Sequence, residues 1–250
     1  MYKCFKVTFD KQRSATPFAV HLASTLIMMS AASAESKFEG IYGQIGAGMT
    51  QTNFTLSSTP LTVTTHSFST TPYIENSSKG TGIITAGYLK TIKENLLLGV
   101  SLDAHPFGST ANNYGISIAT LPTSSTVSGN FRNNGNYTFN ITPAWELNPD
   151  SLIYLKLGYI WGSVQKDYTI TTSTSTTSTS QTSSLSGSDL GIGFKNILSE
   201  QVYWFTEFNY VTKKALTQST SLTTLLGTAS YSGTAAGSYY NALIGLGYKF

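Results

Sequence analysis

From Phe38 to the end of the chain, apolar residues alternate with small or polar ones at a period of two. The alternation comes in segments of roughly ten residues, the pattern of strands with one apolar face. The first segment, Phe38 to Met49, puts Ile41, Gly43, Ile45, Ala47 and Met49 opposite Tyr42, Gln44, Gly46 and Gly48. Leu96 to His105 sets Leu96, Leu98, Val100, Leu102 and Ala104 against Leu97, Gly99, Ser101, Asp103 and His105. The same parity runs through Tyr137–Glu146, Ile153–Gly162, Asp189–Lys195 and Tyr203–Tyr210. The last segment is the clearest, with Tyr240, Ala242, Ile244, Leu246, Tyr248 and Phe250 facing away from Asn241, Gly245, Gly247 and Lys249. Thr81–Thr91 is a strand whose register stays open, since either Tyr88 or Leu89 suits the apolar face. Eight strands result; a count of ten stays open if Leu61–Thr65 or Leu222–Gly227 forms a further hairpin.

A soluble sandwich alternates in the same way. Three features favour a membrane barrel instead. Tyr88, Trp145, Tyr159, Trp161, Trp204, Tyr210, Tyr248 and Phe250 cluster at segment ends, as an interfacial girdle requires. The polar face is too poor in charge for a water-exposed surface. The connections also alternate in length. Lys93-Glu94-Asn95, Asn148-Pro149-Asp150 and Leu198–Gln201 are tight turns, whereas about 25 residues separate segments near 53–80, 106–134, 165–187 and 211–237. Long structureless loops are foreign to compact soluble domains but usual on one side of an outer-membrane barrel. The expected fold is all-β: an eight-stranded antiparallel up-and-down transmembrane β-barrel with long extracellular loops. The Ser/Thr run from Thr169 to Ser188 reads as a mobile, low-complexity loop.

Composition agrees. Of 250 residues only 11% are charged, and 22 are glycine. The formal charge of +3 resides in the first 34 residues, where Lys3, Lys6, Lys11 and Arg13 face Asp10. Residues 35–250 are neutral, which excludes a basic nucleic-acid surface. The same first stretch reads as a secretory leader. Its basic part reaches Arg13, Pro17–Met29 is apolar, and Ala32-Ser33-Ala34 fits a cleavage site before Glu35. The expected division is a cleaved signal peptide at 1–34 and a barrel at 35–250. The one cysteine, Cys4, lies in the leader, so the barrel has no thiol chemistry. No later segment offers 18 consecutive apolar residues, and membrane insertion therefore requires strands closed into a ring.

Several short stretches resemble the opacity-type, OmpA-like small outer-membrane barrels. Phe38-Glu39-Gly40-Ile41-Tyr42 is similar to their first strand. Ala86-Gly87-Tyr88, Asn95-Leu96-Leu97-Leu98-Gly99-Val100 and Glu207-Phe208-Asn209-Tyr210 follow in the family's order. Gly247-Tyr248-Lys249-Phe250 looks like the terminal signal read by the barrel-assembly machinery, with Tyr240, Ile244, Leu246, Tyr248 and Phe250 on one face. The resemblance spans residues 37–250. It implies a barrel in the outer membrane, in contact with lipid and lipopolysaccharide, with surface loops serving adhesion, host interaction or envelope stability. No peptidoglycan-binding domain is expected after Phe250.

The chemistry available inside such a barrel is a set of charges on the lumen face: Asp103, His105, Glu146, Lys156, Asp189, Lys195 and Glu207. An eight-stranded interior is just wide enough to be filled by side chains. Charges there must pair, which predicts a structural or gating ladder with Lys156 against Glu207 or Asp189. Ser101, Asp103 and His105 do not make a catalytic triad from one strand, because same-face neighbours stand about 6–7 Å apart and a nucleophile–base bond needs about 3 Å. His66 and His105 have no metal-ligand spacing, and no phosphate-binding glycine loop is present, so no cofactor is expected. The leading functional expectation is a non-enzymatic structural or adhesive surface barrel. The alternatives are a narrow porin-like channel and a lipid A-modifying enzyme.

Overall fold

The computed structural model describes residues 36–58, 61–63, 66–68, 70–74, 76–106, 112–118, 125–171, 176–224 and 227–250. The expected leader, residues 1–34 with Cys4 and His21, lies outside the described residues. Among the described residues, twelve strands follow in chain order. They are β1 (Gly40–Ser58), β2 (Leu61–Val63), β3 (His66–Phe68), β4 (Thr70–Ile74), β5 (Ser77–Lys93), β6 (Leu96–His105), β7 (Asn112–Ile118), β8 (Ser125–Asn148), β9 (Ser151–Thr171), β10 (Thr176–Ile197), β11 (Val202–Thr224) and β12 (Gly227–Lys249).

Eight of these close into an antiparallel ring, β1-β5-β6-β8-β9-β10-β11-β12, with β12 returning to β1. Closure runs from Tyr42↔Lys249 to Ser58↔Gly233, and the Phe250 amide donates to the Ile41 carbonyl at 3.0 Å. The ten-stranded alternative is thereby settled against. Leu61–Val63 lies off the ring, paired with His66–Phe68 and with Ala229–Ser230 of β12. Leu222–Thr224 and Gly227 belong to β11 and β12 themselves. Phe38 precedes β1 rather than opening it, and its buried ring enters the barrel end below Leu89 and Leu97.

Three tight turns join strands at one end. Asn95 turns β5 into β6 at φ 62°, a left-handed conformation that asparagine tolerates. The Asp150 amide donates to Asn148 Oδ1 between β8 and β9, and Leu198 and Ser199 donate to the Val202 carbonyl between β10 and β11. At the other end the strands continue well past the apolar zone. β9 and β10 pair from Ser151↔Asn196 up to Thr171↔Thr176, so the described residues of the Ser/Thr run expected to be a mobile loop, 169–171 and 176–188, are paired in strands. Threonine suits strands, and its small polar side chains pair across them, as Thr169 does with Ser178 at 3.0 Å. The segments are accordingly longer than the expected ten residues, reaching 24 in β8.

Burial follows the sequence parity. Ile41, Ile45, Met49, Leu102, Phe139, Leu157, Ile192 and Ile244 are exposed, whereas Leu97, Thr138, Lys156, Phe205 and Asn241 are buried inside. In β5 the open register resolves with Leu89 inside, 1% exposed, and Tyr88 outside opposite Ile41. Outward aromatics form two rows. Tyr88, Trp145, Trp204, Tyr248 and Phe250 lie toward the turns; Tyr137, Tyr159, Trp161, Tyr210 and Tyr240 lie toward the long hairpins. Tyr137 and Trp145 stand eight positions apart on β8. That is about 27 Å along a strand at ~3.4 Å per residue, or roughly 20 Å of height at the ~40° tilt of such barrels. Between the rows, no outward side chain among the described residues is charged. This is a lipid belt.

One seam of the ring is irregular. The β10–β11 ladder stops at Gly187↔Lys213, and β11 bulges between Lys213 and Leu216. Beyond it, among the described residues, β10 pairs only with β9 and β11 only with β12.

Removal of Phe250 deletes the Ile41 hydrogen bond and the ring that packs 5.1 Å from Tyr248 at the seam. The expected outcome is a lower folded fraction in membranes, read as loss of the heat-modifiable band on gels. A wild-type folded fraction would show that closure does not depend on this residue.

Candidate functional site

The lumen is built from inward positions of all eight ring strands, and their register sets the layers. Nearest the turns is an apolar plug of Phe38, Leu89, Leu97, Ala144 and Leu152. The chain before β1 folds across this end. The Phe38 amide donates to Ser36 Oγ, the Ser36 hydroxyl donates to Glu146, and Glu39 accepts from Lys90 and from the Thr91 amide.

Above the plug sits Lys195, 2% exposed, among three tyrosines. Its Nζ lies 3.7 Å from the centre of the Tyr42 ring, 4.7 Å from Tyr203 and 5.2 Å from Tyr154. It also donates to the Tyr203 hydroxyl at 3.5 Å, which in turn donates to Gln44 Oε1 at 3.1 Å. The ring faces supply negative potential to a cation that has been removed from water. The rings fit because glycines oppose them: a Cβ on Gly193 would stand 2.2 Å from the Tyr154 ring.

The next layer holds the strongest interaction. Lys156 Nζ donates to Asp103 Oδ2 at 2.7 Å and to Glu207 Oε1 at 2.8 Å, with all three side chains at most 2% exposed. Neutral donors add to the carboxylates: Asn140 to Asp103 Oδ2 at 2.8 Å, Asn209 to Glu207 Oε1 at 2.6 Å, and the Tyr154 hydroxyl to Glu207 Oε2 at 2.9 Å. β6, β9 and β11 thus meet at one ammonium group across the barrel axis. Two charge-assisted bonds per site and added donors are what a buried ion cluster needs to offset desolvation.

The expected ladder is therefore concentrated at a single rung. Lys156 joins Glu207, one of its two anticipated partners, and Asp103. It does not bond Asp189, whose Oδ1 is buried without a hydrogen-bond partner among the described residues. Lys195 is held by aromatic rings and not by an acid. Glu146 sits at the turn-end rim on Ser36, and His105 is buried at the other end of the lumen. Asp103 accepts from Lys156 and Asn140 at Oδ2, and its Oδ1 is buried without a hydrogen-bond partner among the described residues, so no bond from it orients His105. Among the described residues, no group of three or more His, Cys, Asp or Glu is arranged to hold a metal ion. The terminal-signal residues Tyr240, Ile244, Leu246, Tyr248 and Phe250 all lie on the exposed face of β12.

Sequence reasoning missed the tyrosine cage and the two asparagines. Parity carried a signal for them: Tyr154 shares a face with Lys156, and Tyr203 with Glu207 and Asn209. It contained nothing about which strands would meet across the axis.

No protein-family model matches the sequence, and no curated protein matches it. Solved structures do. The outer membrane protein OprG of Pseudomonas aeruginosa aligns with a TM-score of 0.50 at 16% identity, covering 86% of this chain and 98% of that one. The outer membrane protease OmpT of Escherichia coli aligns at 0.47 and 10% identity over 88% and 100%. Ail, the attachment invasion locus protein of Yersinia pestis, aligns at 0.37 and 12% over 84% and 99%, in a complex with the heparin analogue sucrose octasulfate. The structural neighbours are outer-membrane β-barrel proteins, and the likeness is one of fold.

Replacing Lys156 by Met leaves Asp103 and Glu207 buried without their cation. The expected cost is about 3–5 kcal/mol, read as a lower urea midpoint for the barrel refolded in detergent micelles. Adding Asp103→Asn and Glu207→Gln to that variant should recover most of the loss. A midpoint unmoved by Lys156→Met would show that the cluster is not structural.

Proposed function

We propose that the chain is exported through a leader cleaved after Ala34 and stands in the outer membrane as a non-enzymatic surface barrel. Its role is structural or adhesive and is carried by the hairpins beyond the lipid belt. One observation carries this reading: the strand walls run far past the belt while the lumen beneath them is filled. β9 continues ten positions beyond Trp161, roughly 34 Å of strand at ~3.4 Å per residue, and its partner β10 exposes Ser178, Thr179, Ser180, Gln181 and Thr182. A protein whose interior is closed presents its chemistry on these walls. Sparse charge and many hydroxyls suit contact with polar, uncharged surfaces. Lipid, lipopolysaccharide and the barrel-assembly machinery are the partners that the apolar belt and the terminal strand call for. A host or surface ligand would meet the hairpins.

The porin-like alternative requires an open path. The plug of Phe38, Leu89, Leu97 and Leu152 and the buried Lys156 ion cluster weigh against one. For lipid A chemistry, the side chains of Ser101, Asp103 and His105 point into the filled lumen, away from lipid.

An epitope inserted between Thr171 and Thr176 should be labelled by antibody on intact cells. Trimming the β9–β10 hairpin above Gln165 and Thr182 should reduce cell adherence several-fold while heat-modifiable mobility is kept. Purified barrel should leave planar bilayers silent. Discrete conductance steps would select the channel, and an altered lipid A acyl pattern on deleting the gene would select the enzyme.

A further inference from the structure

The inner wall formed by β9 and β10 carries a patch that the Lys156 ion cluster leaves unused. Two rungs set its corners, Gly158↔Asp189 and Lys156↔Gly191. Successive same-face positions on a strand lie about 7 Å apart, and paired positions about 5 Å apart, so the four share one small area. Glycine holds two diagonal corners, and side chains from the flanking strands lie over both. A Cβ on Gly158 would stand 2.2 Å from Asn140 Oδ1 of β8 and 3.1 Å from Asp189 Cβ. One on Gly191 would stand 2.1 Å from Asn209 Oδ1 of β11 and 3.2 Å from Lys156 Cβ.

Both amides are oriented from their far ends. Asn140 Nδ2 donates to Asp103 Oδ2 at 2.8 Å, and Asn209 Nδ2 donates to Glu207 Oε1 at 2.6 Å. Turning either amide over would set its oxygen against a carboxylate, so each presents the oxygen to the patch. Asn140 Oδ1, Asn209 Oδ1 and Asp189 Oδ1 are buried without a hydrogen-bond partner among the described residues, on side chains at most 5% exposed. Three acceptors from three strands thus converge where no donor of the described residues reaches them.

Charge narrows the occupant. Asp189 makes no ion pair among the described residues. Lys156 is shared by Asp103 and Glu207 at 2.7 and 2.8 Å, and Lys195 and Lys213 stand against tyrosine rings. A water molecule would bring donors but no charge, and a carboxylate taken out of water without a counter-charge is costly. The neighbouring cluster does not repel a cation, since it sets two carboxylates against one ammonium group. Carboxylate and amide oxygens are the donors a hard cation prefers. With one carboxylate in the set, a single positive charge balances it.

We propose that this patch binds one small monovalent cation, of the size of sodium, through the Asp189 carboxylate and the amide oxygens of Asn140 and Asn209. The ion ties β8, β10 and β11 together beside the point where Lys156 ties β6, β9 and β11. The site lies inside the barrel and does not depend on what the hairpins meet.

Barrel refolded in detergent micelles tests the proposal. Sodium chloride replaces tetramethylammonium chloride at constant ionic strength and pH, with a chelator present; tetramethylammonium is too large for the patch. The wild-type urea midpoint should rise with sodium. For a single site, each ten-fold rise in sodium above its dissociation constant multiplies the folded-to-unfolded ratio about ten-fold. The folded wild type should also broaden the sodium NMR line. Asp189→Asn keeps the side chain's shape and removes its charge. It should abolish both effects, and in tetramethylammonium it should be at least as stable as wild type. A wild-type midpoint indifferent to the cation would overturn the proposal, leaving a proton or a water at Asp189, and this arm stands whether or not the variant folds. Sodium dependence that survives in Asp189→Asn would place the ion elsewhere. A response to millimolar calcium in place of sodium, with the chelator omitted and lost in Asp189→Asn, would overturn the monovalent assignment. Heat-modifiable mobility of each sample confirms that a folded barrel is being compared.

Discussion

A bilayer core offers backbone amides no water, and that constraint governs the rest of this fold. Each unpaired N–H or C=O placed in hydrocarbon costs several kcal/mol. Strands can cross only if the first pairs with the last. The Tyr42↔Lys249 register and the bond from Phe250 to Ile41 are where this chain meets the requirement. The apolar exterior follows from it, because residues outside a closed ring face lipid. Small and polar residues inside follow as well, because eight strands leave room for side chains and little else.

The narrow interior explains the form of the ion cluster. A charge inside an eight-stranded ring can reach strands on the far side, so Lys156 on β9 meets both Asp103 on β6 and Glu207 on β11. Space for such crossings is made by glycines. A Cβ on Gly191 would lie 2.1 Å from Asn209 Oδ1, and one on Gly158 would lie 2.2 Å from Asn140 Oδ1. The amides that donate to the two carboxylates therefore depend on glycine in the neighbouring strand. An apolar filling of the same volume could be as stable. What the cluster adds is a directional bond joining three strands whose ladders do not touch one another.

The two faces of the ring strands other than β5 were legible in the sequence because a period of two is local; in β5, Tyr88 and Leu89 stand side by side and parity alone does not choose between them. Ile153 and Lys156 declare opposite sides within four residues. The tight turns were legible for the same reason, through Asn95 and Asn148-Pro149-Asp150. Pairing across the axis was not. Asp103 and Lys156 are 53 positions apart, and their meeting depends on the register of two intervening seams, β6–β8 and β8–β9, each set by its whole ladder. The Thr169–Ser188 hairpin was misread for a different reason. Low complexity indicates disorder when a chain must supply its own core, but these strands grow from a ladder that the barrel has already registered, and each added pair costs little nucleation.

Where that ladder ends is as informative as where it holds. Within the lipid belt β10 and β11 cannot part, because both edges would face hydrocarbon. Above Lys213 water solvates the freed amides, and separation becomes affordable. The break follows three to four positions beyond Tyr210, which marks the upper row of aromatics, so the slit opens as soon as solvent permits and no earlier. β9–β10 and β11–β12 nevertheless stay paired to their tips, at Thr171↔Thr176 and Thr224↔Gly227. Loss of pairing is therefore selective for one seam and is not general fraying, which would begin at the hairpin ends.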